Sequence, residues 1–193
     1  MPCEFSQKQK ERIAKQLDKS LGPEYLSVRA GFGSTQLTYV EGWMIISLAN
    51  KIFGFDGWSS EIKSMTEEYC ETNDGKTSVG YTCVCRVTLR SGAYKEDVGF
   101  GSADNQKMKG PAVEKAKKEA ATDALKRALR QFGNALGNCC YDKEYIKNVR
   151  KQTGFKKVSF DVKKILKTTD LIENKENFDV SVSFSQDNDI SDL

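Results

Sequence analysis

Residues 76–100 read KTSVGYTCVCRVTLRSGAYKEDVGF. Val79, Tyr81, Cys83, Cys85, Val87 and Leu89 fall on one face of an extended chain, and Gly80, Thr82, Val84, Arg86 and Thr88 on the other. That period of two is the mark of a half-buried strand. Upstream, Asn73-Asp74-Gly75 is a strong hairpin turn, preceded by a run from Trp58 to Glu71 rich in strand formers. Downstream, Ser91-Gly92 turns into a third strand, where Tyr94, Glu96, Val98 and Phe100 alternate with Lys95 and Asp97. Three strands joined by tight turns make a meander.

Helical signals flank it. Ser6 with Gln9 three residues later is a capping box, opening a helix that runs to about Asp18 and stops at Leu21-Gly22-Pro23. Residues 29–37, RAGFGSTQL, read as a loop or short strand. Thr38 with Glu41 is a second capping box, predicting a helix over VEGWMIISLANKIF with Trp43, Ile46 and Phe53 on its inner face and Gly54 as its C-terminal cap. After the meander, GSADNQKMKGP reads as a loop. A long helix follows from Ala112 to about Leu136, then a shorter one around Asp142 to Arg150. The order helix, helix, three strands, long helix predicts an α+β domain over residues 1–150. Residues 151–169 form a basic extension containing FKKVSFDVKKILK, and residues 170–193 an acidic tail whose composition reads as disordered.

Composition excludes several function classes. The chain has no histidine, so Ser-His and Cys-His catalysis and histidine-containing metal sites are out. Its six cysteines (Cys3, Cys70, Cys83, Cys85, Cys139, Cys140) contain no C-x-x-C pair, and they read as buried, reduced thiols in a reducing intracellular compartment rather than as metal ligands or disulfides. The polar start MPCEFSQKQKE and the absence of a long apolar run give no expectation of a secretory signal or a membrane span. Gly75-Lys76-Thr77 imitates the end of a phosphate-binding loop, but Cys70 stands where the first glycine is required. Gly31-Phe32-Gly33 and Gly99-Phe100-Gly101 begin a dinucleotide fingerprint that Gln36 and Asp104 break. Glu67-Glu68 sits in a polar stretch without a pocket to separate two carboxylate pKa values. No catalytic residue, no metal and no cofactor is expected, and the chain reads as a non-enzyme.

Charge points elsewhere. Residues 170–193 carry seven acids against Lys175, a net of −6, which leaves +9 on residues 1–169. A basic body fits a polyanion partner, or equally a solvated surface with a solubilising tail. Between Lys107 and Arg130, eight bases face three acids. On a helix, Lys115, Lys126 and Arg130 share a narrow stripe, while Ala121, Leu125, Ala128 and Phe132 face a core. Such a stripe can follow a phosphate backbone, with nearby aromatics giving unpaired bases somewhere to stack; it can also be the plain outer face of an amphipathic helix.

Five stretches carry a resemblance: EYLSVR (24–29), YVEGW (39–43), LANKIFGFDGW (48–58), EDVGFG (96–101) and EKAKKEAATDALKRALRQFGNALGN (114–138). Together they resemble the N-terminal annealing domain of the eukaryotic Rad-fifty-two family of recombination mediators and single-strand annealing proteins, over residues 6 to 150. The resemblance implies a β-β-β-α core, a closed homo-oligomeric ring and a basic groove that binds single-stranded DNA for ATP-independent annealing in homologous recombination and double-strand break repair, in the nucleus. Carried over by motif, the inner DNA site comprises Arg29, Tyr39, Lys126, Arg127 and Arg130. A second, outer site comprises Phe53, Lys76 and Lys107, with Lys109, Lys115 and Lys118 as additional contacts. Tyr39 and Phe53 could instead be core or subunit-interface residues, and Arg127 an intersubunit salt-bridge partner.

One departure stands out. The family has a long polar C-terminal half that contacts the recombinase and the single-strand-binding protein, whereas this chain stops at Leu193. Partners beyond single-stranded DNA and the chain itself therefore stay open, as do double-stranded DNA, RNA annealing, a recombinase-loading role by coating DNA, and a scaffold with an acidic protein partner.

Overall fold

The structure, a computed structural model, describes residues 4–31, 33 and 36–151. All the described residues fall within the unit Met1–Lys157. The acidic tail and all but Lys151 of the basic extension lie outside the described residues. In chain order the elements are α1 (Gln7–Leu17), β1 (Ser27–Ala30), β2 (Gln36–Tyr39), α2 (Gly42–Phe53), β3 (Trp58–Asn73), β4 (Lys76–Leu89), β5 (Tyr94–Gln106), α3 (Lys109–Arg130) and α4 (Lys143–Val149). Short 3-10 turns at Pro23–Tyr25, Asn134–Leu136 and Asn138–Tyr141 join them.

β3, β4 and β5 form an antiparallel sheet in that order, and β1 pairs with β2 in a separate antiparallel ribbon. The β3–β4 turn closes on the Asn73–Lys76 pair, with Asp74 at φ 49° and Gly75 at φ 70°. Two left-handed residues give the turn whose twist matches that of the flanking strands. Val79, Cys83 and Val87 of β4 are fully buried, with Tyr81 and Cys85 nearly so, as the alternation predicts. Among the described residues the five cysteines are free. Cys83, Cys85 and Cys139 are buried, and Cys70 and Cys140 half-buried.

α3 crosses this buried face on a stripe of alanines. Ala112, Ala116, Ala120, Ala124 and Ala128 recur every four residues and are all fully buried. Opposite them, β5 presents Gly99, Gly101 and Ala103. A Cβ on Gly99 would land on the Ala124 amide nitrogen, and one on Gly101 on the Ala116 carbonyl oxygen. Helix and strand backbones touch because no side chain separates them. The remaining core gathers α1, α2 and the end of α3 around Ile45, Phe53, Leu129 and Leu136.

Several expectations change. The Ser6–Gln9 capping box forms in both directions, but the Thr38–Glu41 box does not: Thr38 lies in β2, Glu41 is the N-cap without a side-chain cap bond, and α2 starts at Gly42. The inner face of α2 is Met44, Ile45, Leu48, Ala49, Ile52 and Phe53. Trp43 and Ile46 are exposed, because the helix begins later and turns a different face inward. Residues 101–106, expected as a loop, continue β5, since the small side chains there admit α3. The long helix runs from Lys109 and ends at Arg130 rather than near Leu136. Gly133 sits so close to α1 that a Cβ there would be 2.6 Å from the Leu17 carbonyl oxygen. The Asp142–Arg150 helix is present as α4, capped by the Asp142 side chain on the Glu144 amide.

Candidate nucleic-acid interface

β1 delivers Arg29, β2 delivers Tyr39, and the last two turns of α3 deliver Lys126, Arg127 and Arg130. All five line one open hollow of about 420 Å³. Chain segments almost a hundred residues apart meet there because α3 lies back across the start of the domain.

The cations are organised by aromatic rings and by a single carboxylate. Arg29 lies 5.5 Å and Lys126 5.2 Å from the Tyr39 ring centroid, so that ring is flanked by positive charge. Burial pushes the Lys126 ammonium below the ordinary lysine range, with Asp123 opposing and Arg29 adding to the fall. Arg127 Nε donates to Asp97 Oδ1 at 3.2 Å, and Arg130 lies 3.8 Å from Asp97 Oδ2. The Gln131 amide donates to the same carboxylate at 2.9 Å. Burial pushes the Asp97 carboxyl up, but the Val98 amide, Gln131 and Arg127 outweigh it and hold it below the ordinary aspartate range. Within the chain, Arg127 thus has Asp97 as a partner. Arg130 also stacks over Tyr141, 4.1 Å from guanidinium carbon to ring centroid. Its Nε is buried and has no hydrogen-bond partner among the described residues.

Neighbouring hollows lengthen the site. One of about 620 Å³ shares Arg29, Tyr39, Asp123 and Lys126 with it and reaches Lys118 and the half-exposed Phe100. Another, of about 410 Å³, shares Cys140 and Tyr141 and is lined by Lys143, Lys147 and Arg150 of the α4 region. Arg150 bonds back to the Thr38 hydroxyl at 2.9 Å and the Gln36 carbonyl at 2.6 Å, which fixes β2 beneath the groove.

The outer set separates into two parts. Lys76 and Lys107 are exposed and flank the terminal Thr77–Gln106 pair of β4 and β5, with Lys109 exposed at the first turn of α3. That end lies roughly 30 Å from Asp97 along β5, at about 3.3 Å per residue. Phe53 does not join them. It is only 2% exposed and packs edge-to-face on Phe132, with centroids 5.7 Å apart. It also lies beyond the opposite end of the sheet, where Trp58 pairs with Leu89. In KIFGF its ring is thus placed in the core, apart from Lys76 and Lys107. Lys115 is exposed on α3 but does not line the groove hollows described here, whereas Lys118 does. Asp97, Tyr141 and Arg150 were not among the expected site residues.

Over residues 9–158 the sequence matches the family described as Rad52/22 family double-strand break repair protein. The chain belongs to that family. Among Rad52/22 relatives, it is 51% identical to the DNA repair and recombination protein RAD52 of Saccharomyces cerevisiae, over 84% of this chain and 34% of that protein. It is 51% identical to rti1 of Schizosaccharomyces pombe, over 77% of this chain and 40% of that one, and 50% identical to rad22 of the same yeast, over 76% and 32%. The chain therefore spans about a third of the length of these Rad52/22 relatives. Among the described residues, no group of three or more cysteines and carboxylates is placed to hold a metal ion. No described helix is long and apolar enough to cross a membrane.

Proposed function

We propose that this chain binds single-stranded DNA along the groove and promotes ATP-independent annealing of complementary strands, as a subunit of a closed homo-oligomeric ring acting in recombination and double-strand break repair in the nucleus. One observation carries the reading: Arg29, Lys126, Arg127 and Arg130, from two distant segments, converge on one hollow around Tyr39. Phosphates entering it exchange their counterions for fixed guanidinium and ammonium groups, and that release drives binding without sequence preference. The backbone contacts leave base edges free to sample a second strand. Lys76 and Lys107, on a separate surface, form the outer contact for that second strand.

Ring assembly is supported by surface left without a partner among the described residues of one subunit. β3 and β5 are 16 and 13 residues long and each has one neighbour in the sheet; long free edges invite pairing with another chain. Trp43, Phe55, Ile62 and Tyr94 are all more than half exposed.

The binding step is tested by titrating a labelled single strand at several salt concentrations. The expected log–log slope is roughly −0.7 per phosphate contacted. A flat response contradicts a phosphate-tracking groove, and a matched RNA strand that binds more tightly than DNA reassigns the substrate.

A further inference from the structure

We propose that Tyr141 forms a base-stacking subsite for an unpaired nucleobase, a role distinct from that of Tyr39. The inference rests on the single-strand reading above and extends it to the bases. Tyr39 is poorly placed to stack a base, because Arg29 and Lys126 already lie over its ring at 5.5 and 5.2 Å. Tyr141 is placed differently. It is 60% exposed, and among the described residues Arg130 is the cation that lies over its ring, at 4.1 Å. A guanidinium covers a single face, so among the described residues the exposed remainder of the ring offers its other face to a planar ligand.

The backbone that carries the ring, and the cation behind it, are also anchored. It ends the 3-10 turn Asn138–Tyr141, whose Cys139 is buried and gives its thiol to the Asn134 carbonyl at 3.3 Å. Arg130 behind it is tied to Asp97 at 3.8 Å. Tyr141 lines two hollows at once, one containing Lys126 and Arg130, the other Lys147 and Arg150. A base on the open face would therefore have its flanking phosphates directed towards positive charge on either side. Stacking engages the face of a base and leaves its Watson–Crick edge free, so the subsite holds a nucleotide while the strand remains readable. A base stacked on a ring already stacked on a guanidinium also gains from the cation on the far side.

The test uses the full chain with oligonucleotides carrying 2-aminopurine at alternating positions, whose fluorescence falls on stacking. Wild type, Tyr141→Phe, Tyr141→Leu and Tyr141→Ala are compared for quenching, affinity and salt slope. We expect Tyr141→Phe to keep the quenching. Tyr141→Leu keeps apolar volume without a π-face, and with Tyr141→Ala it should lose the quenching and about five- to a hundredfold in affinity. Their salt slope should stay that of wild type, since no phosphate contact is removed. Unchanged quenching in Tyr141→Leu overturns the subsite, as does a Tyr141→Phe that behaves like Tyr141→Ala. A drop in salt slope for Tyr141→Leu assigns the residue to phosphate and overturns it as well. Wild type that binds no strand at any salt overturns the single-strand reading itself and the subsite with it, an outcome distinct from a fault in the variants alone.

Discussion

Asp97 on β5 accepts a hydrogen bond from Arg127 on α3 at 3.2 Å, and the same carboxylate lies 3.8 Å from Arg130. One acid thus fixes two of the groove cations from beneath, so the charge of the groove and the packing of α3 on β5 rest on the same residues. Replacing Asp97 by Asn removes the charge while keeping its size. Because the side chain of Arg127 is 37% exposed, solvent screening limits the loss to about 1–2 kcal/mol, read as a shift of the denaturant midpoint. An unchanged midpoint means the ion pairs add nothing.

Asp97 also sets an acid limb. Its folded pKa is depressed, so its contribution is fully present above the unfolded value of about 3.9 and fades as pH falls through the folded value. Stability measured from pH 6 downward should fall in wild type below about pH 4, and fall less steeply in Asp97→Asn. Parallel curves would remove Asp97 from the account.

Gly99 is one of two points, with Gly101, where β5 and α3 approach too closely for a side chain. Gly99→Ala places a methyl group against the Ala120–Ala124 backbone, which cannot rotate away as a side chain could. The expected cost is at least about 1–3 kcal/mol in chemical denaturation. A variant as stable as wild type contradicts the helix–sheet contact.

Phe53 separates a core role from a DNA role. Phe53→Ala should destabilise the fold by about 3–5 kcal/mol, whereas Phe53→Leu should keep strand affinity near that of wild type. A stable Phe53→Leu protein with sharply weaker DNA binding would return Phe53 to the interface.

The sheet was legible because β4 alternates without a break and Asp74-Gly75 specifies its turn. β5 was harder. Its apolar residues Tyr94, Val98 and Phe100 point outward, while the inward register holds Asp97, Gly99 and Gly101, types that carry no strand or core signal of their own. Only the close approach of α3 makes them necessary, and that is a tertiary fact. Reading the phase of β5 from its glycines would have turned Asp97 inward beneath a basic helix. Thr38 failed as a helix cap for a similar reason: its hydroxyl bonds Arg150, 112 residues away, which no local pattern reveals. On α3 the pattern pointed to Ala121, Leu125, Ala128 and Phe132 as the core side, yet only Ala128 of these is fully buried and the others are half-buried at the margin. The packing face is the row from Ala112 to Ala128 with Leu129, and Gly133 meets Leu17 just after the helix ends. At the site, basic residues near the end of α3 were visible as a charge cluster. Their convergence with Arg29 and Tyr39 came only from family motifs, and Tyr141 carried no signal until the fold set Arg130 over its ring.

In the proposed function the α3 arginines hold DNA for annealing. The most direct measurement mixes two complementary end-labelled strands with wild type or with Arg127→Ala/Arg130→Ala and follows duplex formation by energy transfer, without ATP or magnesium, alongside the oligomer size by light scattering. Wild type should accelerate pairing over the spontaneous rate, and the double variant should lose that acceleration at unchanged oligomer size. A double variant that anneals as fast as wild type, or a wild type that binds strands tightly without accelerating their pairing, contradicts it.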